Sequence, residues 1–372
     1  MAAAAEQSER KTGDAKALNF IAEIHEINKK DFPELYEIFK LDRLPLPGAE
    51  FSFEVKNVPT AFANGIRRVL TDELSSYRLG IDELTFIDYD KHTEVYCTYS
   101  MLLQSISNIR IKYNISPTEA SKMRLKLSIT NTSQFNIPVY SGDLQVTNGD
   151  AKLLMCNPNI QLAIVTPGKS IFVDNIKLIK DTGKNSGFNT VGCQVSAIPL
   201  DLPEYKKEEY TSATGKAANL ACYIPQSTVV NPRHHKISGI FNCIESIGDI
   251  KTIICDSFDN IVKRLQKIEV AISDESTKTV DVVYDEKSIS DESNIYEASL
   301  VVTGETHTIA VLITKYVFDN NPKIEEVNYM IENDTVYFTI KSSKNIKSQL
   351  LISIKKIIND FKLVKESFLL LK

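Results

Sequence analysis

Two hydrophobic periods succeed one another along this chain. Phe51, Phe53 and Val55 interleave with Ser52, Glu54 and Lys56, the two-residue period of a half-buried strand. Pro59 then opens a helix in which Phe62, Ile66, Val69, Leu70 and Leu74 recur three and four residues apart and form one apolar stripe. Gly80 closes that region ahead of a strand predicted at 84–87. From His92 to Gly192, β-rich runs at 126–129, 139–146 and 171–179 are separated by Asn, Gly and Pro and read as an all-β insert. Strand character returns at 194–198, a polar loop rich in Tyr and Lys follows over 203–233, and a strand at 240–247 leads into a helix at 252–270. That helix keeps Ile254, Phe258, Ile261, Val262, Leu265 and Ile268 in helical spacing.

The pattern then restarts. A strand at 299–303, a helix at 306–318, strands at 327–331 and 336–340 and a long helix at 345–371 repeat the skeleton of the first half without its insert. In the last helix Ile346, Leu350, Ile354, Ile357, Phe361, Val364, Phe368 and Leu371 form the seam expected when one long helix lies along another. Each such side chain contributes roughly 1.5 to 3 kcal/mol when buried, so eight left exposed would forfeit at most about 12 to 24 kcal/mol. A partner helix has to cover them, and the stripe at 252–270 matches.

The pattern predicts an α+β chain of two related halves. Residues 1–48, with a weakly amphipathic stretch at 32–39 followed by Pro45, Leu46, Pro47 and Gly48, read as a tail and docking arm. Residues 49–90 and 193–272 form the first half, 91–192 the β-rich insert, and 298–372 the second half. The acidic, serine-rich stretch within 273–297 reads as a linker or an exposed hairpin. Halves that clasp would meet through Phe62, Ile66, Val69, Leu70, Phe258, Ile261 and Leu265 of the first and Ile309, Leu312, Leu350, Ile354, Ile357, Phe361 and Val364 of the second.

Composition narrows the function classes. At 372 residues with 43% hydrophobic and 24% charged residues, the chain is ordinary globular protein with material for two or three folded units. No run approaches the roughly 20 apolar residues that span a bilayer, and residues 1–14 show neither a signal-peptide core nor a Gly at position 2 for myristoylation, so the expected location is inside the cell. A net charge of −5 lacks the basic excess of a protein that grips duplex DNA. The six cysteines, 97, 156, 193, 222, 243 and 255, are scattered without a C-x-x-C pair and read as small buried hydrophobes.

Several motifs carry more. The run from Phe53 to Leu70, Phe-Glu-Val-Lys-Asn-Val-Pro-Thr-Ala-Phe-Ala-Asn-Gly-Ile-Arg-Arg-Val-Leu, resembles the signature of α-type subunits of multisubunit RNA polymerases. Val139-Tyr-Ser-Gly-Asp-Leu and Phe241-Asn-Cys-Ile-Glu-Ser-Ile-Gly are similar to the third-largest subunit of eukaryotic RNA polymerase II. Glu305-Thr-His-Thr-Ile through the terminal helix is similar to that subunit's small partner. Fusion of the two, and the run Asn231-Pro-Arg-His-His-Lys, resemble the fused α-like subunit of large nucleocytoplasmic DNA viruses.

The resemblance implies two α-like dimerisation halves in one chain and a non-catalytic assembly role in viral transcription. Its expected partners are the largest and second-largest polymerase subunits and small accessory subunits, with nucleic acid met only through the complex and no membrane. The virion and the host cytoplasm, at the viral factory, are the expected locations, and no cofactor is implied. It assigns docking of the second-largest subunit to Arg67 and Arg68 with Asn64. The loop 181–189, with Gly183, Lys184, Asn185 and Gly187, is a second candidate contact, because its glycines and small polar residues leave its order to a neighbour. The chain lacks the zinc-binding cysteine cluster that eukaryotic relatives often carry in the insert, which implies no structural zinc. It also has Ala310-Val311 where the small partner usually continues with Gly-Asn.

Blander readings stand beside these. Arg68 with Asp72 at i, i+4 is an ordinary surface pair worth about 0.3 to 0.5 kcal/mol. Pro167-Gly168-Lys169-Ser170 lacks the earlier glycine of a P-loop and precedes a strand. His234 and His235, adjacent, lack the spacing of a helical metal pair and read as loop residues, while His307 sits where a helix cap is expected. Asn114, Asn131 and Asn333 begin chance glycosylation sequons. A cellular α-like fusion, a metal-dependent enzyme using both histidines and a free-standing DNA-binding module are the alternatives.

Overall fold

The computed structural model describes residues 13–25, 48–81, 99–113, 115–149, 160–185, 187–201, 232–242, 244, 246–273, 281–290, 295–343 and 345–371. The amphipathic stretch 32–39, the predicted strand 84–87 and most of the loop 203–233 lie outside them. The chain is mixed α and β. Strands β1 (Lys16–His25), β2 (Gly48–Lys56), β9 (Gly192–Pro199) and β10 (His234–Asn242) form an antiparallel sheet in the order β1-β2-β10-β9. Strands β11 (Val282–Ser290), β12 (Ile295–Thr303), β13 (Ile324–Glu332) and β14 (Thr335–Ser342) form a second, in the order β11-β12-β14-β13. With β1, β2, β9 and β10 set against β11, β12, β13 and β14, the two orders coincide, and every neighbouring pair is antiparallel in both. Helix α1 (Thr60–Arg68) follows the second strand of the first sheet, and α4 (Ile247–Ser273) follows its last. Helices α5 (His307–Asn320) and α6 (Ile346–Leu369) stand in the same places after the second sheet's strands.

One apolar core joins both sheets and these four helices. Helices α4 and α6 run antiparallel: Lys251 Nζ donates to the Leu371 carbonyl at 2.5 Å, Lys365 pairs with Asp259 at 2.7 Å, and Lys355 lies 3.9 Å from Glu269. Of the eight predicted seam residues, the seven within α6 are buried to 0% exposure, and Leu371, just past its end, stays partly open. Phe361 stacks on Phe62 of α1 with ring centroids 3.9 Å apart and lies 6.4 Å from Phe258 of α4. Phe368 meets Phe53 of β2 at 5.2 Å and Phe20 of β1 at 5.0 Å. Helix α5 crosses α1 closely because position 65 is glycine: a Cβ there would sit 3.3 Å from Leu312.

Between α1 and β9 the chain builds a second core. Here β3 (Ser75–Gly80), β4 (Arg124–Thr130), β6 (Gln145–Asn148) and β8 (Ser170–Thr182) form a sheet in the order β3-β8-β4-β6, and β5 (Ile137–Tyr140) pairs with β7 (Gln161–Val165). Helices α2 (Tyr99–Ser107) and α3 (Pro117–Lys122) belong to the same region. The latter carries a capping box in which Ser116 and Glu119 satisfy each other's backbone N–H groups. Among the described residues no helix is long and apolar enough to cross a membrane.

The structure corrects several sequence expectations. Residues 16–25, assigned to a tail, form β1: Ala17 faces the core, and a bulge after Leu18, with Asn19 at φ 48°, shifts the inward positions to Phe20, Ala22 and Ile24. Of the two readings of 273–297, a linker or an exposed hairpin, the structure shows the hairpin: the stretch holds β11 and the start of β12, paired antiparallel at the edge of the second sheet. Strand β3, grouped with the first half, pairs with β8 instead, and α2 and α3 lie where an all-β segment was expected. The predicted strand at 240–247 is placed late: β10 ends at Asn242, and α4 has begun by Ile247.

Candidate docking face

The helix carrying the two arginines does not run regularly to Leu74. After Arg68 it widens into a π-turn at Val69–Glu73, closed by the Leu74 N–H donating to the Val69 carbonyl at 3.0 Å. The wider turn takes Asp72 out of α-helical register with Arg68, and the expected i, i+4 ion pair is not formed among the described residues. Arg67 and Asn64 hold each other, Arg67 Nε donating to Asn64 Oδ1 at 3.4 Å, and Thr71 Oγ1 donates to the Arg67 carbonyl at 2.9 Å. Arg67, Arg68 and Asn64 are all half-buried.

The loop 181–189 is brought onto this turn, so two candidate contacts more than a hundred residues apart in sequence become one surface. Lys184 donates its backbone N–H to the Asp72 carbonyl at 2.9 Å. Gly183 fits because it has no side chain: a Cβ would lie 3.1 Å from both the Asp72 Cα and the Thr71 carbonyl oxygen. Asn185 Nδ2 donates to Asp181 at 3.0 Å, and buried Asn189 donates to the Ser76 carbonyl at 2.9 Å. Gly187 has open space where a side chain would go. The neighbour that orders this loop therefore belongs to the same chain. Lys184 also pairs with Asp334, in the turn between β13 and β14, at 2.7 Å; both ends are solvent-exposed, which makes the pair weak.

The predicted clasp residues all lie in one core. Phe62, Phe258, Leu312 and Phe361 pack in the core shared by both sheets, as do Ile66, Ile261, Leu265, Ile309, Leu350, Ile354, Ile357 and Val364. Val69 and Leu70 belong to the same core, and the π-turn that carries them packs on β9 and α4.

Sequence reasoning missed a polar cluster behind the π-turn. Arg264 of α4 donates through Nη1 to Glu73, and through Nη2 and Nε to Glu305 at 2.5 and 3.0 Å. Thr306 and Thr308 donate their hydroxyls to Glu73 at 2.9 and 2.5 Å. Burial works against the Arg264 charge, but hydrogen bonds and charge from Glu305 and Glu73 outweigh it and raise its pKa above the ordinary value. The available signal was Glu305 directly before Thr306, read as part of a helix start. The cap is Thr306, whose hydroxyl accepts the Thr308 N–H, and not His307, which shares a hydrogen bond with the Tyr329 hydroxyl at 3.2 Å.

His234 and His235 are strand residues, correcting the loop reading. As neighbours in β10 they point to opposite faces. His234 meets Glu54 at 2.6 Å; burial would raise the Glu54 pKa, yet hydrogen bonds from Asn19 and His234 and nearby positive charge hold it below the usual carboxylate value. His235 is fully buried, shares a hydrogen bond with Thr60 at 3.1 Å, and has its pKa pushed down to about 4 chiefly by burial. This divergence separates the two rings that a metal-enzyme reading would bring together. Asn131 is 1% exposed, and its amide donates to the Phe135 and Val165 carbonyls at 2.7 and 2.8 Å, so that sequon presents no free amide.

Over 342 residues, covering 89% of this chain and 90% of the relative, the sequence is 25% identical to the DNA-directed RNA polymerase RPB3-11 homolog of African swine fever virus from a Namibian warthog isolate. The same protein of the Vero-adapted Badajoz strain matches with the same identity and coverage. That of a Kenyan pig isolate is 26% identical over 300 residues, 79% of each chain. The chain is a homologue of these viral RNA polymerase subunits. No family model matches it. The similarity to the RPB3-11 homologs covers nearly the whole chain, and these relatives belong to a virus, as the fusion pattern implied.

Proposed function

We propose that the chain is the non-catalytic assembly subunit of a viral DNA-dependent RNA polymerase, an intramolecular pseudo-dimer of two α-like halves on which the two large catalytic subunits and small accessory subunits assemble. The observation that carries this reading is the repeated strand order, β1-β2-β10-β9 and β11-β12-β14-β13, joined by the antiparallel packing of α4 on α6 in one core. Near full-length similarity to viral RPB3-11 homologs supports the polymerase assignment.

Fusion has a physical consequence. Only residues 274–280 separate α4 from Asp281, which directly precedes β11, so the second half meets the first at a high effective concentration however little protein is made. In this reading Arg67 and Arg68, steadied by Asn64 and flanked by the loop at Gly183, Lys184, Asn185 and Gly187, dock the second-largest subunit. The planar forks of the arginines suit carboxylates and carbonyls on that partner. Nucleic acid is met through the complex, and the protein works in the virion and the cytoplasmic viral factory.

The test is capture of the co-expressed second-largest subunit by the tagged chain. Replacing Arg67 and Arg68 with Ala is expected to leave the melting curve within a few degrees of the unmodified chain while lowering capture at least about tenfold, about 1.4 kcal/mol or more. Undiminished capture by a folded double variant would remove the docking role.

A further inference from the structure

The π-turn beside the docking arginines is held on both sides by groups that are themselves tied to the second half of the chain: directly at Glu73 by Thr306 and Thr308, and at Asp72 through the insert loop and its exposed Lys184–Asp334 pair. On its inner side Glu73 enters the cluster around Arg264. The guanidinium stands between two carboxylates, one from the turn and one from Glu305, just ahead of α5, and also donates to Asn260 at 3.3 Å and Thr306 at 3.0 Å. The other Glu73 oxygen accepts the hydroxyls of Thr306 and Thr308. On its outer side the Asp72 carbonyl accepts the Lys184 N–H, the Lys184 ammonium pairs with Asp334, and the Asp334 carbonyl accepts the Gly304 N–H at 2.7 Å. Gly304 and Glu305 are consecutive, so the two grips meet on one segment of the second half.

A cluster of this kind is a poor way to add stability, because well-packed apolar side chains of the same volume do as well or better. It is a good way to fix direction. The Arg fork accepts carboxylates in a narrow range of geometries, and a buried carboxylate without its partners is costly, so Glu73 has one acceptable place once the halves have closed. The π-turn, one residue wider per turn than an α-helix, brings Glu73 there.

We infer that Arg264 is a positioning residue for the docking face: through Glu73 and Glu305 it makes the placement of Arg67, Arg68 and the loop 183–185 conditional on closure of the two halves, and the turn at Asn333 and Asp334 is part of the surface the large subunit meets. The inference rests on the docking role proposed above. An open chain then lacks a properly shaped docking face, and capture of the large subunit selects chains that have already clasped.

The test uses the full chain carrying Arg264→Lys, which keeps the charge and loses the fork. Capture of the co-expressed second-largest subunit is expected to weaken about tenfold at a temperature below the melting transition. Hydrogen exchange at the Leu74 and Lys184 amides should quicken while the amides of α6 between Leu350 and Phe361 stay protected, a local change that a general loss of stability would not produce. If Arg264→Lys does not fold, the triple replacement Arg264→Met, Glu73→Leu and Glu305→Leu, which leaves no unpaired charge, takes its place with the same expectations. Unchanged capture and unchanged exchange in a folded variant would overturn the inference. Loss of capture by the Arg67, Arg68 double variant but not by Arg264→Lys would overturn it alone, whereas full capture by the double variant would overturn the docking role and this inference with it.

Discussion

Phe361→Ala tests the clasp where it is densest. The ring is fully buried on α6, stacks on Phe62 of α1 at 3.9 Å with an interplanar angle of 19°, and lies 6.4 Å from Phe258 of α4, so one side chain ties the second half to two helices of the first. Truncating a buried Phe costs about 3 to 5 kcal/mol, most where the surroundings cannot collapse into the space. The fully buried rings of Phe62 and Phe258 against it have little freedom to close the space. The expected loss is therefore about 4 kcal/mol, a large share of a typical total stability of about 5 to 15 kcal/mol. Urea denaturation followed by circular dichroism reads the change as a shift in midpoint at constant slope. Ile352→Ala, on the same helix but 62% exposed, serves as control and should change stability by less than about 0.5 kcal/mol. If the two variants shift the midpoint equally, the α6 seam is not a buried interface and the clasp is wrong.

Two other perturbations follow from the same structure. Leu350→Asp places a carboxylate at a site with 0% exposure and should destabilise by more than about 4 kcal/mol; an unaltered melting curve would contradict burial of that seam position. Stability should also fall in mild acid through His235. Its folded pKa of about 4 lies below the ordinary value of about 6.5, so the unfolded chain takes up the proton first; the stabilisation is complete above about pH 6.5 and is lost as pH drops towards 4. The full effect is about 3 kcal/mol, and His235→Gln, which can still bond Thr60, should flatten the profile between pH 4.5 and 7; an unchanged slope would refute it.

The parts of the fold legible in the sequence are those whose apolar positions face one core without interruption. Strand β2 keeps strict alternation, and α6 carries its stripe over more than six turns, so both were placed correctly, and the strand–helix repeat could be read from them. Edge strand β1 was missed, and β11 was left between a linker and an exposed hairpin, for related reasons. In β1 the bulge at Asn19 moves the inward residues from one parity to the other, which erases the alternation. In β11 the inward positions Val282 and Tyr284 are followed by Glu286, an acid that made the stretch look like a linker. Its carboxylate accepts the Ile346 N–H at 3.0 Å and so serves the positive end of α6. Because β1 and β11 occupy equivalent edges, omitting both from the repeated skeleton left the two halves looking alike but each one strand short.

The candidate site divides similarly. Arg67, Arg68 and the loop 183–187 could be named from local motifs. Their convergence on one turn depends on Gly183 approaching the Asp72 backbone and on the irregular turn itself, neither of which has a periodic signal. The Arg264 cluster draws on residues from three separate stretches of chain, and only the closed fold brings them together.

The central claim is that this chain organises a polymerase without performing its chemistry. Affinity purification of the tagged chain after co-expression with the two large subunits, with composition read by mass spectrometry and RNA synthesis assayed on the same fractions, tests it most directly. The account predicts both large subunits in equimolar amounts with the chain, template-dependent RNA synthesis in that assembly, and none from the chain alone. Recovery of the folded chain without either large subunit, or RNA synthesis by the chain in isolation, would contradict it.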